Sequence, residues 1–177
     1  MINTSSLNKI LLSLDRKLVV AGKGPVHLLV GGAGALVGAY GYFDSTNDVD
    51  AISIKGDLEQ IKKEILDISR EFRLPQDWIN PHFSSFTIYL PSDYRIRCQQ
   101  IFSGDALKAV ALGPEDLIIM KLMAGRRKDR SHIQFLLSKG GVDLSVVEER
   151  LIELEKLYPD LSKRALKLFD EILGEGQ

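Results

Sequence analysis

The sequence predicts an α+β fold in which a small mixed sheet flanked by helices is followed by a C-terminal helical half. Three observations carry this. The short apolar run Val26–Val30 leads into a glycine-rich turn, and Val49–Ile54 alternates in the manner of a second strand. Further strand candidates follow at residues 86–90, 95–102 and 108–112, separated by the turn signals Pro91-Ser92-Asp93 and Ser103-Gly104-Asp105. From Gly113 onward the pattern is helical only. The natural division is residues 1–112 as an α/β core and residues 113–177 as a helical region packed on it.

Taken in order, Leu7, Ile10, Leu11, Leu14 and Leu18 recur at helical spacing behind a Ser/Thr-rich cap and predict an amphipathic first helix, ended by Ala21-Gly22-Lys23-Gly24-Pro25. Residues 26–30 read as a buried strand, and residues 33–40 as a short helix whose small residues allow close packing. Asp57 with Gln60 forms a capping-box pattern opening a helix with Leu58, Ile61, Ile65, Ile68 and Phe72 on one face. Residues 75–81 read as a loop that Trp78 anchors over the sheet. Pro114 suits a first helical position with Glu115 and Asp116 in the first turn, and Gly125 ends that helix. Helices over about 129–138, from Ser145 and over 161–173 complete the chain.

Composition narrows the function classes. The chain has 177 residues, 45% of them hydrophobic and 27% charged, enough for a core that needs no disulfide or structural metal. A formal net charge of −1 argues against a generally basic nucleic-acid coat, so any such contact needs a local patch. Cys98 is the single cysteine, which excludes an intramolecular disulfide and a cysteine-rich zinc site. The N-terminus lacks the basic start and apolar core of a secretion signal, and the uncharged stretch 26–43 is too rich in glycine for an uninterrupted membrane span. The expectation is a cytoplasmic protein with no membrane partner.

The chemistry concentrates around Asp48 and Asp50. Two apart at a strand start, they present both carboxylates on one face. Adjacent carboxylates repel unless a cation lies between them, which favours Mg²⁺ or Mn²⁺ with Asp48 and Asp50 as ligands. Upstream, Gly31-Gly32 follows the first strand directly, and a backbone without Cβ atoms can approach a phosphate at the start of the next helix. A metal pair beside a phosphate cradle is what in-line attack on an α-phosphate requires. Taken alone, Asp-Val-Asp also reads as an ordinary turn or solvated strand start. The glycines approach a dinucleotide-binding fingerprint, but apolar Ala51, Ile52 and Ile54 follow the carboxylates and no run of βαβ units succeeds them. The phosphate-loop pattern is absent.

The run Gly31-Gly32-Ala33-Gly34-Ala35-Leu36 with Thr46-Asn47-Asp48-Val49-Asp50 resembles the first motif of the minimal nucleotidyltransferases of the DNA polymerase β-like superfamily. The run from Leu112 to Arg130, through Lys121 and Asp129, is similar to the second signature of AbiEii-type members, which include toxin components of toxin–antitoxin systems. The resemblance spans about residues 26–137. It implies a nucleotidyltransferase-like fold and transfer of a nucleoside monophosphate from an NTP to an RNA end or a protein hydroxyl, with a cognate antitoxin as a partner. It further implies that Asp48, Asp50, Lys121 and Asp129 are catalytic, with Gly31, Gly32, Thr46, Lys121 and Lys128 at the nucleotide. Lys121 would reach the triphosphate, and Asp129 would orient that region or complete the site. Lys121 reads equally as a lysine snorkelling from a helix edge. Arg126, Arg127, Lys128 and Arg130 form the only dense basic cluster, suited to phosphates or simply to a solvated helix end. The pattern departs from the superfamily at its third carboxylate: residues 94–100 carry no acid, and Asp93 just before them sits in a turn setting. That leaves a one-metal enzyme, or a catalytically silent relative that binds nucleotide or a partner. Arg97 is a further candidate for phosphate, while His27, His82, His132 and Cys98 read as ordinary.

Overall fold

A computed structural model describes residues 1–175 and confirms a mixed α+β architecture. Contacts cluster into two units: residues 1–84 with 98–112, and residues 85–97 with the chain from Gly113 onward.

The first unit is built on a five-stranded sheet of order β3-β2-β1-β5-β4, where β1 is Val26–Val30, β2 Val49–Lys55, β3 Ile79–Asn80, β4 Gln99–Ser103 and β5 Leu107–Ala111. The pairs β1/β2 and β4/β5 are antiparallel; β1/β5 and β2/β3 are parallel. The end of β1, the start of β2 and the end of β5 therefore share one edge of the sheet, as does the start of β4. Three helices accompany the sheet: α1 (Thr4–Val20), α2 (Gly32–Tyr40) and α3 (Lys62–Phe72). Asn3 caps α1 through reciprocal hydrogen bonds with Ser6, and Leu7, Ile10, Leu11, Leu14 and Leu18 are buried as their spacing predicts. Asp57 accepts from the Glu59 backbone N–H at 2.9 Å, and a 3-10 turn over Glu59–Ile61 precedes α3.

The Asp15 carboxylate, 5% exposed, closes the β4–β5 hairpin. Its Oδ1 accepts from the backbone N–H groups of Ala106 and Leu107, both at 2.8 Å, and Oδ2 from that of Asp105 at 3.3 Å. Gly104 has no Cβ where one would overlap this carboxylate.

The second unit packs α4 (Pro114–Ala124), α5 (Arg127–Ser138), α6 (Leu144–Glu155) and α7 (Pro159–Glu175). Every residue of α4 from Glu115 to Met123 is buried, so α4 is its central helix. No helix among the described residues is long and apolar enough to cross a membrane, and the uncharged stretch 26–43 divides into β1 and α2.

Two strand expectations need correction. Residues 86–89 lie in a 3-10 segment, Ser84–Tyr89, and Leu90 in the bend after it, rather than in a strand. The Arg150 guanidinium takes the Tyr89 carbonyl at 2.8 Å and that of Leu90 at 2.9 Å, so these acceptors serve a side chain and not a ladder. The strand expected over 95–102 begins at Gln99, because Tyr94–Arg97 forms another 3-10 turn. Conversely, the predicted loop 75–81 contains β3, and Trp78 within it is fully buried, donating through Nε1 to the Ile65 carbonyl at 3.0 Å.

Candidate functional site

The antiparallel pairing of β1 with β2 sets Val30 opposite Ala51, and the Gly31 N–H extends that ladder by donating to the Asp50 carbonyl at 2.9 Å. The chain then turns into α2, with Gly31 as its cap and Gly32 at φ +56°, where a side chain is strained. A Cβ on Gly32 would overlap the Asp50 carboxylate, and one on Gly31 would lie 2.9 Å from the Phe83 ring. The two glycines thus bring the leading N–H groups of α2 beside Asp50. Because the Gly31 N–H is already bonded, a phosphate cradle here would rest on the N–H groups from Gly32 onward.

Asp48 immediately precedes β2, and both Asp48 and Asp50 are half-buried, flanking the buried Val49. Oδ1 of Asp48 accepts from the Thr46 hydroxyl at 3.0 Å, while the Asn80 amide nitrogen lies 3.4 Å from Oδ2. Thr46 is itself held by an isolated bridge: its N–H donates to the Ile2 carbonyl at 2.9 Å, and Ile2 donates back at 2.6 Å. The Thr46 hydroxyl therefore touches the Asp48 carboxylate and orients it.

Among the described residues no three His, Cys, Asp or Glu side chains gather as a metal cage. Two carboxylates two residues apart, Asp48 just before β2 and Asp50 within it, fit the usual mode of Mg²⁺, which takes one or two protein carboxylates and completes its shell with phosphate and water. Asp93 belongs to the second unit. It is bound by both terminal nitrogens of Arg97, at 2.9 and 3.0 Å, and Arg97 also grips the fully buried Asp116 at 2.8 and 3.0 Å. Burial pushes the Asp116 carboxyl up against the pull of Arg97. Arg97 is committed to two aspartates.

Lys121 and Asp129 meet within the second unit. Lys121 is 4% exposed, so it does not snorkel: Nζ lies 3.4 Å from Asp129 Oδ1 and 2.9 Å from His132 Nδ1. Asp129 is fully buried and also accepts from Arg126 Nε at 2.8 Å. Burial would raise the Asp129 carboxyl, but the His132 and Arg126 hydrogen bonds and the Lys121 charge outweigh it and hold the group far below the carboxylate range. Burial lowers the Lys121 ammonium, with Asp129 opposing. His132 belongs to this cluster although its sequence setting marked it as ordinary; the i, i+3 spacing from Asp129 on α5 is the available signal. The basic cluster divides. Arg126 serves Asp129 and Arg130 pairs with Glu171 and Glu175, whereas Arg127 and Lys128 are exposed and pair with no carboxylate among the described residues.

Over residues 9–172 the chain matches the family model described as nucleotidyltransferase of unknown function (DUF6036), and it belongs to that family. No curated protein and no solved structure matches it.

Proposed function

We propose, from the chain's membership of this nucleotidyltransferase family, that it transfers a nucleoside monophosphate from an NTP to an RNA 3′ end or a protein hydroxyl, using Mg²⁺ or Mn²⁺ at Asp48 and Asp50. The observation that carries the reading is the Asp50 carboxylate set beside the glycine turn at the start of α2, with Asp48 two residues before it. In the reaction the acceptor oxygen bonds to the α-phosphorus, the bond from that phosphorus to the bridging oxygen breaks, and pyrophosphate leaves while the acceptor proton passes to water. The cation supplies charge neutralisation for the phosphate oxygens. Asp48 and Asp50 hold it, with Asp48 pinned by Thr46 and Asn80. Gly32 and the first N–H groups of α2 receive the triphosphate. Lys121, held by Asp129 and His132, and the exposed Lys128 are assigned to the phosphates on the strength of the AbiEii-type resemblance, which also supports a toxin role opposed by a cognate antitoxin.

The test incubates the full chain with each labelled NTP, either metal, and total RNA or cell lysate. Labelled product that Asp48→Asn abolishes is expected. No product with any of the four nucleotides and either metal refutes transfer. The absence of a three-acid cluster among the described residues favours a second reading, a silent nucleotide-binding module. That reading predicts NTP-dependent thermal stabilisation without pyrophosphate release.

A further inference from the structure

Asn80 is 3% exposed on the two-residue strand β3, where it stands opposite Asp50 in the parallel pairing with β2. The orientation of its amide is decided by its neighbours. Oδ1 accepts from the His82 backbone N–H at 3.0 Å, so the nitrogen faces the other way, 3.4 Å from Asp48 Oδ2 and 3.4 Å from the Asp77 carbonyl. With Thr46 on Oδ1, each oxygen of Asp48 has one neutral donor. An ionised carboxylate has about four lone-pair positions, so these two contacts fix its orientation and leave the others for a ligand. Neither donor cancels its charge.

We propose that Asn80 is a positioning residue of the Asp48–Asp50 cation site, standing as an uncharged amide beside the two carboxylates where an acid would make a third ligand. The proposal rests on the reading of Asp48 and Asp50 as cation ligands. It explains why so short a strand exists: β3 carries Asn80 to the edge of the pair and buries it there. An amide at this position aims the Asp48 oxygens without adding a negative charge, and it leaves the site suited to one cation shared with phosphate rather than to a closed protein cage.

The experiment titrates Mn²⁺ into the full chain and counts free ion by electron paramagnetic resonance, for the wild type, Asp48→Asn, Asn80→Ala and Asn80→Asp, with folding checked by circular dichroism. Losing an outer partner of a ligand weakens binding by about 10- to 100-fold, and that loss is expected for Asn80→Ala. Asn80→Asp keeps the acceptor for the His82 N–H and exchanges only the amide nitrogen for an oxygen. It adds a ligand charge and is expected to tighten Mn²⁺ binding by about 10-fold or more. Wild-type affinity in folded Asn80→Ala, or in Asn80→Asp, overturns the proposal; if Asn80→Ala does not fold, Asn80→Asp decides. A wild type that takes up no Mn²⁺, or an Asp48→Asn that binds as well as the wild type, instead refutes the site reading beneath it.

Discussion

Replacing Asp129 with asparagine keeps the shape of the side chain and removes its charge. Three cations or donors meet that carboxylate, but they differ in exposure: the Lys121 side chain is 4% exposed, His132 11% and Arg126 55%. Arg126 can turn to water, so its share of the loss is small. Lys121 cannot, and breaking a buried pair from one side costs about 3–5 kcal/mol because the remaining charge has no counterpart. The lower half of that range, about 3–4 kcal/mol at pH 7, is expected because Lys121 Nζ keeps its 2.9 Å contact with His132 Nδ1. At roughly 2–4 °C per kcal/mol for a chain of this size, the melting temperature falls by roughly 6–16 °C. Lys121→Met is expected to cost less, since it leaves Asp129 with Arg126 and His132.

The pH dependence has a sign on each side. In Asp129→Asn the ammonium, already lowered by burial, loses its anion; the folded state then binds fewer protons than the unfolded one, and stability rises from pH 7 towards the unfolded lysine value of about 10.4. In the wild type the depressed Asp129 carboxyl contributes stability that is present above the unfolded value of about 3.9 and is lost as pH falls towards its folded value. The gap between variant and wild type is therefore widest near pH 5–7 and narrows in both directions. Urea unfolding across this range measures it. A loss below about 1 kcal/mol, a cost of Lys121→Met equal to or above that of Asp129→Asn, or a gap independent of pH refutes the reasoning.

Two further outcomes follow from backbone contacts. Asp15→Ala strips three backbone N–H groups of the β4–β5 hairpin of their acceptor and should cost about 3 kcal/mol or more, read by urea unfolding; a loss under about 1 kcal/mol would contradict the assigned role. Gly32→Ala and Gly41→Ala share a left-handed backbone, at φ +56° and +65°, and each should lose about 1–2 kcal/mol to strain. Only at Gly32 does the new methyl overlap the Asp50 carboxylate, whereas Gly41 faces open space, so Mn²⁺ affinity should fall by about 10-fold or more in the first variant alone. Equal affinities in the two would remove Gly32 from the site.

What could be read from the sequence tracks the distance over which each contact acts. The face of α1 was legible because Leu7, Ile10, Leu11, Leu14 and Leu18 recur at the helical period and all point one way. Asp48 and Asp50 stood out as a candidate pair because strand geometry puts residues two apart on one face, and the structure has Asp48 just before β2 and Asp50 within it. The segment 86–90 was not, for its β-prone residues favour a strand only where another strand pairs with them, and Arg150, about 60 positions away, takes their carbonyls instead. Asn80 was hidden for the same reason: it lies 32 residues from Asp48, and nothing near it in the chain predicts that β3 will form beside β2.

The glycine pair takes on a further meaning in the structure. In the sequence, Gly31-Gly32 stood for room beside a phosphate. In the structure the room is already taken by the protein: the Phe83 ring lies where a Gly31 Cβ would sit, and the Asp50 carboxylate where a Gly32 Cβ would. Both glycines are therefore required before any nucleotide arrives. Their effect is to let a helix start close on an acidic side chain, so the helix N-terminus, its positive end, lies against Asp50. That placement sets the positive end of a helix beside Asp50, and it ties the glycine turn to the acidic residue next to it.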